Sequence, residues 1–218
     1  MSIEHHPPET LIAAFAAGTL DNGQHVAIAT HLVACAHCRS LMRSMEQVGG
    51  AVLADLPPAS MSSNALAAIE ARLDDAAAPR APATPPADNV TASEIPGLPR
   101  FVRRYPFGTW TWVAPAVYVR RIVLPDPGDT RVFLLKAGPG TRLLEHAHAG
   151  LEMTCVLAGS FAQAGSRYAP GDFDFGDETI DHQATVEEGT DCICLVAMQG
   201  DLRLKGLIGR LVQPFVRL

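Results

Sequence analysis

The stretch GTRLLEHAHAGLEMTCVLAG, Gly140 to Gly159, decides the architecture of the second half of this chain. His146 and His148 stand two residues apart, so on a strand both side chains leave the same face. Glu152 follows a short bend at Ala149-Gly150 and can return to that face. In a barrel that face is the interior, where an ion is shielded from water. Two imidazoles and a carboxylate suit zinc, iron, manganese, nickel or copper about equally well, so the spacing does not choose the metal. A fourth ligand is expected from a later strand, and His182 is the histidine left to supply it.

The segments around this stretch keep a strand-like character. VYVRRIVL (Val117 to Leu124), RVFLLKA (Arg131 to Ala137), LEMTCVLAG (Leu151 to Gly159) and DCICLVAM (Asp191 to Met198) are short and rich in apolar and β-branched residues. Turn sequences divide them: PDPGD, GPG, APGD and EEGTD. This pattern predicts an all-β barrel or jelly roll over residues 101–218. Cys155, Cys192 and Cys194 fit its core as small buried residues. Cys192 and Cys194 would share a face of one strand without easily forming a disulfide, and a sensing role for the pair stands beside the core reading.

Upstream, the composition changes. Ala76 to Arg100 is rich in proline and alanine without an apolar period, and Pro79, Pro82, Pro85 and Pro86 favour extended backbone. Residues 76–100 are expected to be a semi-rigid, solvated linker. Residues 1–75 carry helical periods. Pro7-Pro8 and Gly18 bracket a first helix bearing Leu11, Ile12 and Phe15. Asp21 caps a second, with Gln24 three residues on, and Val26, Ala29, Leu32 and Val33 form its apolar face. A third carries Leu41, Met45, Val48 and Val52, with a bend expected at Gly49-Gly50. A fourth, capped by Ser60 or Ser63, carries Leu66, Ile69 and Leu73. Four short helices offer more apolar face than a small bundle can hide, which leaves surface for a partner.

The second constellation is His31-x3-Cys35-x2-Cys38. On a helix these positions share one face, and CxxC spacing lets both thiolates reach one ion even if the chain turns between them. Zinc closes such a site with a fourth ligand. Among His5, His6, His25 and His37, the last two point away from that face. His5 and His6 sit on an N-terminal arm that can fold back; His6 is the favoured ligand and His5 the alternative.

Composition narrows the function. The net charge is -6, and the short basic pairs Arg103-Arg104 and Arg120-Arg121 read as solvated strand ends, so no direct DNA binding is expected. The start MSIEHHPPET lacks the marks of a signal peptide, and no apolar run approaches the ~20 residues of a membrane span. A cytoplasmic chain is expected, and five cysteines there point to metal before disulfides.

The run from Gly140 to Gly159 matches the first cupin motif without a gap, and Tyr168 to Asp172 resembles the proline-glycine turn of the second, although His182 lies further along than that pattern puts it. The whole chain resembles the ChrR family of zinc-dependent anti-sigma factors. Carrying the resemblance are His5-His6, AAGTL (Ala16 to Leu20), ATHLVACAHCR (Ala29 to Arg39), VGG (Val48 to Gly50), HxHxGxE (His146 to Glu152), DCICL (Asp191 to Leu195) and LVQPF (Leu211 to Phe215). The resemblance implies a small all-α zinc-binding domain followed by a cupin barrel. It implies zinc at residues matching His6, His31, Cys35 and Cys38, and a second zinc at residues matching His146, His148, Glu152 and His182. It implies that the helical domain sequesters an extracytoplasmic-function-type sigma factor, and that the barrel is needed to release it under oxidant stress, singlet oxygen being the type case. The competing expectation is a cupin metalloenzyme of dioxygenase type with an N-terminal tether, for which Tyr168 and Asp172 are the acid–base candidates.

Overall fold

A computed structural model describes residues 2–74, 94–126, 128–143, 146–148, 150–176, 183–200 and 202–204; for residues 74, 146–148 and 202–204 it describes backbone alone. Residues 76–93 of the expected linker, His182 and the LVQPF run lie outside the described residues.

The N-terminal part is helical: α1 (Glu9–Ala16), α2 (Asn22–Ala34), α3 (Ala36–Ala54) and α4 (Ala65–Asp74). The expected cap of the second helix is present. The Asp21 side chain accepts from the Gln24 amide at 2.8 Å, and the Gln24 side chain reaches back to the Asp21 amide. α3 runs unbroken through Gly49-Gly50, where a bend was expected. α4 opens at Ala65, just past the serines expected to cap it.

Strands follow a short 3-10 turn at Val102–Arg104: β1 (Thr111–Ala114), β2 (Val117–Ile122), β3 (Thr130–Ala137), β4 (His146–His148), β5 (Glu152–Ala158), β6 (Phe161–Gln163), β7 (Ser166–Tyr168), β8 (Phe173–Gly176), β9 (Thr185–Val186), β10 (Cys192–Gln199) and β11 (Leu202–Leu204). They form a six-stranded antiparallel sheet in the order β1-β2-β3-β10-β5-β8, a three-stranded sheet β7-β6-β9, and the pair β11-β4. The four long apolar runs of the sequence are β2, β3, β5 and β10, at the centre of the large sheet.

The CICLVAM run lacks polar alternation because both faces of β10 are covered. Cys192, Cys194, Val196 and Met198 face the barrel interior with Val119, Phe133 and Phe161. Ile193, Leu195 and Ala197 face a second core, shared with Val132, Leu134, Met153 and Cys155 and closed from outside by Val26, Ala27, Ile28 and Leu32 of α2. Fully burying Ile28 there is worth about 2 kcal/mol. The helical part is therefore packed on the barrel. Val33, expected on the buried face of α2, is 59% exposed, while Ile28 is fully buried, because α2 turns toward the sheet as well as toward its neighbouring helices.

Close approach makes this docking possible. A Cβ on Gly23, in the first turn of α2, would stand 2.6 Å from the Thr130 side chain and 2.7 Å from its carbonyl oxygen. The Thr130 hydroxyl donates to Asp21 Oδ2 at 2.6 Å, so the helix cap also anchors the helix to β3. Ile95 and Leu98, at the end of the segment expected to be solvated, are buried in the same core. Arg120 is not a solvated strand end either. It is buried, its guanidinium donates to the Gly108 carbonyl at 2.8 Å, and it lies over the Phe107 ring. No helix among the described residues is long and apolar enough to cross a membrane.

Candidate metal centre

His6, His31, Cys35 and Cys38 converge, their ligand atoms all within 4.8 Å of one another. The chain turns at Cys35, which ends α2 and caps α3 with extended backbone (φ -92°, ψ 107°). This break sets His31 on the last turn of one helix and Cys38 on the first turn of the next, so their side chains meet. His31 Nε2 lies 3.3 Å from Cys38 Sγ, and His6 Nδ1 lies 3.4 Å from both sulfurs. The Cys38 amide donates to Cys35 Sγ at 3.4 Å.

These distances suit zinc. Bonds of about 2.0–2.3 Å to nitrogen and sulfur put the edges of a tetrahedron at roughly 3.6 Å. The charges also fit. Burial pushes the Cys38 thiol up to about 12, with the neighbouring Cys35 thiol adding to the shift, so the Cys38 sulfur needs a cation to become a thiolate. Burial lowers the His31 pKa to about 4, and it also lowers that of His6, so both rings are neutral at pH 7 and ready to coordinate. His31 Nδ1 donates to the Gly171 carbonyl at 2.9 Å, which fixes the tautomer and turns the Nε2 lone pair toward the sulfurs.

The other histidines lie elsewhere. His5, the alternative ligand, stacks on Tyr168 at 4.2 Å. His25 stacks on Phe15, and the His37 ring lies 5.1 Å from His6, outside the four-residue group.

In the barrel, the backbone of His146 and His148 runs on β4, opposite Leu204 and Leu202 of β11, and not in the six-stranded sheet. Glu152 opens β5 and accepts from the Thr154 hydroxyl at 2.9 Å. It lines a cavity of about 50 Å³ together with Asp174, Gln163, Cys192 and Cys194. All three barrel cysteines are free and buried, and Cys192 and Cys194 share the interior face with sulfurs 3.8 Å apart.

Sequence reasoning missed how the barrel reaches the helical site. The turn Tyr168 to Asp172, read from sequence as a proline-glycine turn with two acid–base candidates, lies against the N-terminal arm. Asp172 is 3% exposed, and its carboxylate accepts backbone amides of Glu4 and His5. A buried acid in a tight turn was the available signal.

Residues 105–200 match the family described as the ChrR cupin-like domain. Across the full length of both proteins, the chain is 35% identical over 227 residues to anti-sigma-E factor ChrR of Cereibacter sphaeroides. It is also similar to a chain of the solved complex of Rhodobacter sphaeroides SigE with the anti-sigma ChrR, at 34% identity and a TM-score of 0.73, covering 91% of this chain and 100% of that one. An identity of this size over the whole length, with the helices and the barrel in the same order, places the chain in the ChrR family of anti-sigma factors.

Proposed function

We propose that this chain is a zinc-dependent anti-sigma factor and not an enzyme. Its helices hold an extracytoplasmic-function-type sigma factor, and the barrel carries an oxidant signal, of the singlet-oxygen kind, that ends the hold. The full-length match to a relative solved as a complex with SigE carries this reading. The zinc supplies a closed tetrahedral clamp of the structural type. His6 brings the arm to it, His31 the end of α2, and Cys35 and Cys38 the start of α3.

The surface of the helices supports a protein partner. Val48, Val52 and Leu53 on α3 and Leu66, Ile69 and Leu73 on α4 are 57–76% exposed. An apolar patch of this kind on a soluble chain fits a docking face. The net charge of -6 complements a basic partner and speeds encounter more than it tightens binding.

In the barrel, His146, His148, Glu152 and His182 are proposed to hold a second divalent ion, zinc or another metal. The acid–base candidates of the enzyme reading have other tasks: Asp172 holds the arm, and Tyr168 is stacked between His5 and Phe161 with its hydroxyl pushed up to about 12 by burial.

Co-expression with extracytoplasmic-function sigma factors, followed by copurification and metal counting, tests the proposal. A one-to-one complex with zinc at the helical site is expected. Cys35→Ser with Cys38→Ser should lose that zinc and the complex together; normal binding by the double variant refutes the clamp. His148→Ala should keep the complex and lose its release by oxidant, and normal release would remove the barrel ion from the signal.

A further inference from the structure

We propose that Asp172 is the positioning residue of the helical metal site, and that through it the barrel sets how long that site keeps its ion. The proposal rests on reading His6, His31, Cys35 and Cys38 as a zinc site.

The four ligands divide by what holds them. Cys35 and Cys38 belong to the junction of α2 and α3. The two histidines are both steered by residues 167–173 of the barrel. Asp172 Oδ1 accepts the amides of Glu4 at 2.8 Å and His5 at 3.0 Å, while Oδ2 accepts the amide of Ala169 at 2.8 Å and closes the turn. The Phe173 amide donates to the His5 carbonyl at 3.1 Å, so the arm is fixed on both edges of its backbone one residue before His6. His5 Nε2 donates to the Arg167 carbonyl at 3.1 Å. Gly171 has φ +96°, a backbone conformation that side chains rarely adopt, and a Cβ there would stand 2.7 Å from Ile3 Cδ1 and push the arm residue aside. Its carbonyl takes the proton of His31 Nδ1.

A buried carboxylate that accepts three amides is a strong and local constraint, because removing it leaves those donors unpaired. It fixes the Ala169–Asp172 turn, which presents the Gly171 carbonyl, and it pins the arm that presents His6. One acidic side chain thus positions both imidazoles relative to sulfurs that other elements hold. Two residues further on, Asp174 accepts from Gln163 at 3.0 Å and lines the cavity shared with Glu152. The segment that steers the histidines is therefore continuous with the wall of that cavity.

The test uses full-length protein loaded with Co(II). Thiolate-to-cobalt absorption that disappears in the Cys35→Ser, Cys38→Ser protein reports the helical site alone. Its decay in excess EDTA gives the release rate. Asp172→Ala should reach the same absorption at saturation and release cobalt about 10- to 100-fold faster, the usual cost of losing an outer-shell partner. Asp172→Asn, which keeps one oxygen for the Glu4 and His5 amides, should fall between it and the unmodified chain. Asp172→Asn decides the matter if Asp172→Ala does not fold. Release within twofold of the unmodified chain in the folded variants overturns the proposal alone. Absence of the thiolate band in the unmodified chain overturns the zinc reading, and the proposal with it.

Discussion

His31 Nδ1 and the carbonyl oxygen of Gly171 are 2.9 Å apart, though 140 residues separate them in the chain. One bond therefore joins the last turn of α2 to a turn of the barrel and orients the imidazole that faces Cys38. A separate helical domain on a linker would leave that ring nitrogen to water. Here the helices, the arm and the barrel share a core, so the helical site is formed between two parts of the chain.

Burial of His31 has a consequence for pH. Its folded pKa in the metal-free chain is about 4, lowered first by burial, against an ordinary value of 6.5. The unfolded chain takes up this proton as pH falls through 6.5, and the fold resists it until about 4. The contribution is present above 6.5 and lost on acidification across that window, amounting to about 3 kcal/mol. Urea unfolding of metal-free protein at pH 7 and pH 4.5, compared with His31→Gln, should show a smaller loss in the variant. Equal losses would contradict the assignment.

Two glycines of the helices should respond oppositely to alanine. Gly23→Ala puts a methyl into Thr130 and should destabilise by about 3 kcal/mol, since the obstacle includes backbone. Gly49→Ala meets nothing within 4 Å on an exposed helix and should stabilise by about 1 kcal/mol. Thermal unfolding of the two variants measures both signs; a neutral Gly23→Ala would mean that α2 does not lie flat on the sheet.

Charges placed on the exposed apolar stripe should separate binding from folding. Val52→Asp and Ile69→Asp change residues that are 60% and 57% exposed, so stability should move by no more than about 0.5 kcal/mol. Binding of the sigma factor should weaken at least about 10-fold per substitution, as expected where a hot-spot contact is lost. Titration of partner onto immobilised protein reads this out. Unchanged affinity in both variants would move the interface elsewhere.

The sequence alone determined the elements and the ligand types. Period 3.6 before residue 75 and short apolar runs after residue 101 predict helices and then strands, because each period reports which face its own element buries. His31, Cys35 and Cys38 were legible because ligand spacing is local. His6 was legible only as one of two neighbours on an arm. The tertiary structure separates them: the His5 amide donates to Asp172 and its ring stacks on Tyr168, while the His6 ring lies beside the sulfurs. It also decided that Ile28 packs on β-strands, that Ile95 and Leu98 join the core, and that Gly171 and Asp172 bond to α2 and the N-terminal arm. Contacts such as these depend on how two amphipathic surfaces meet across more than a hundred residues, and the period of neither surface records its partner.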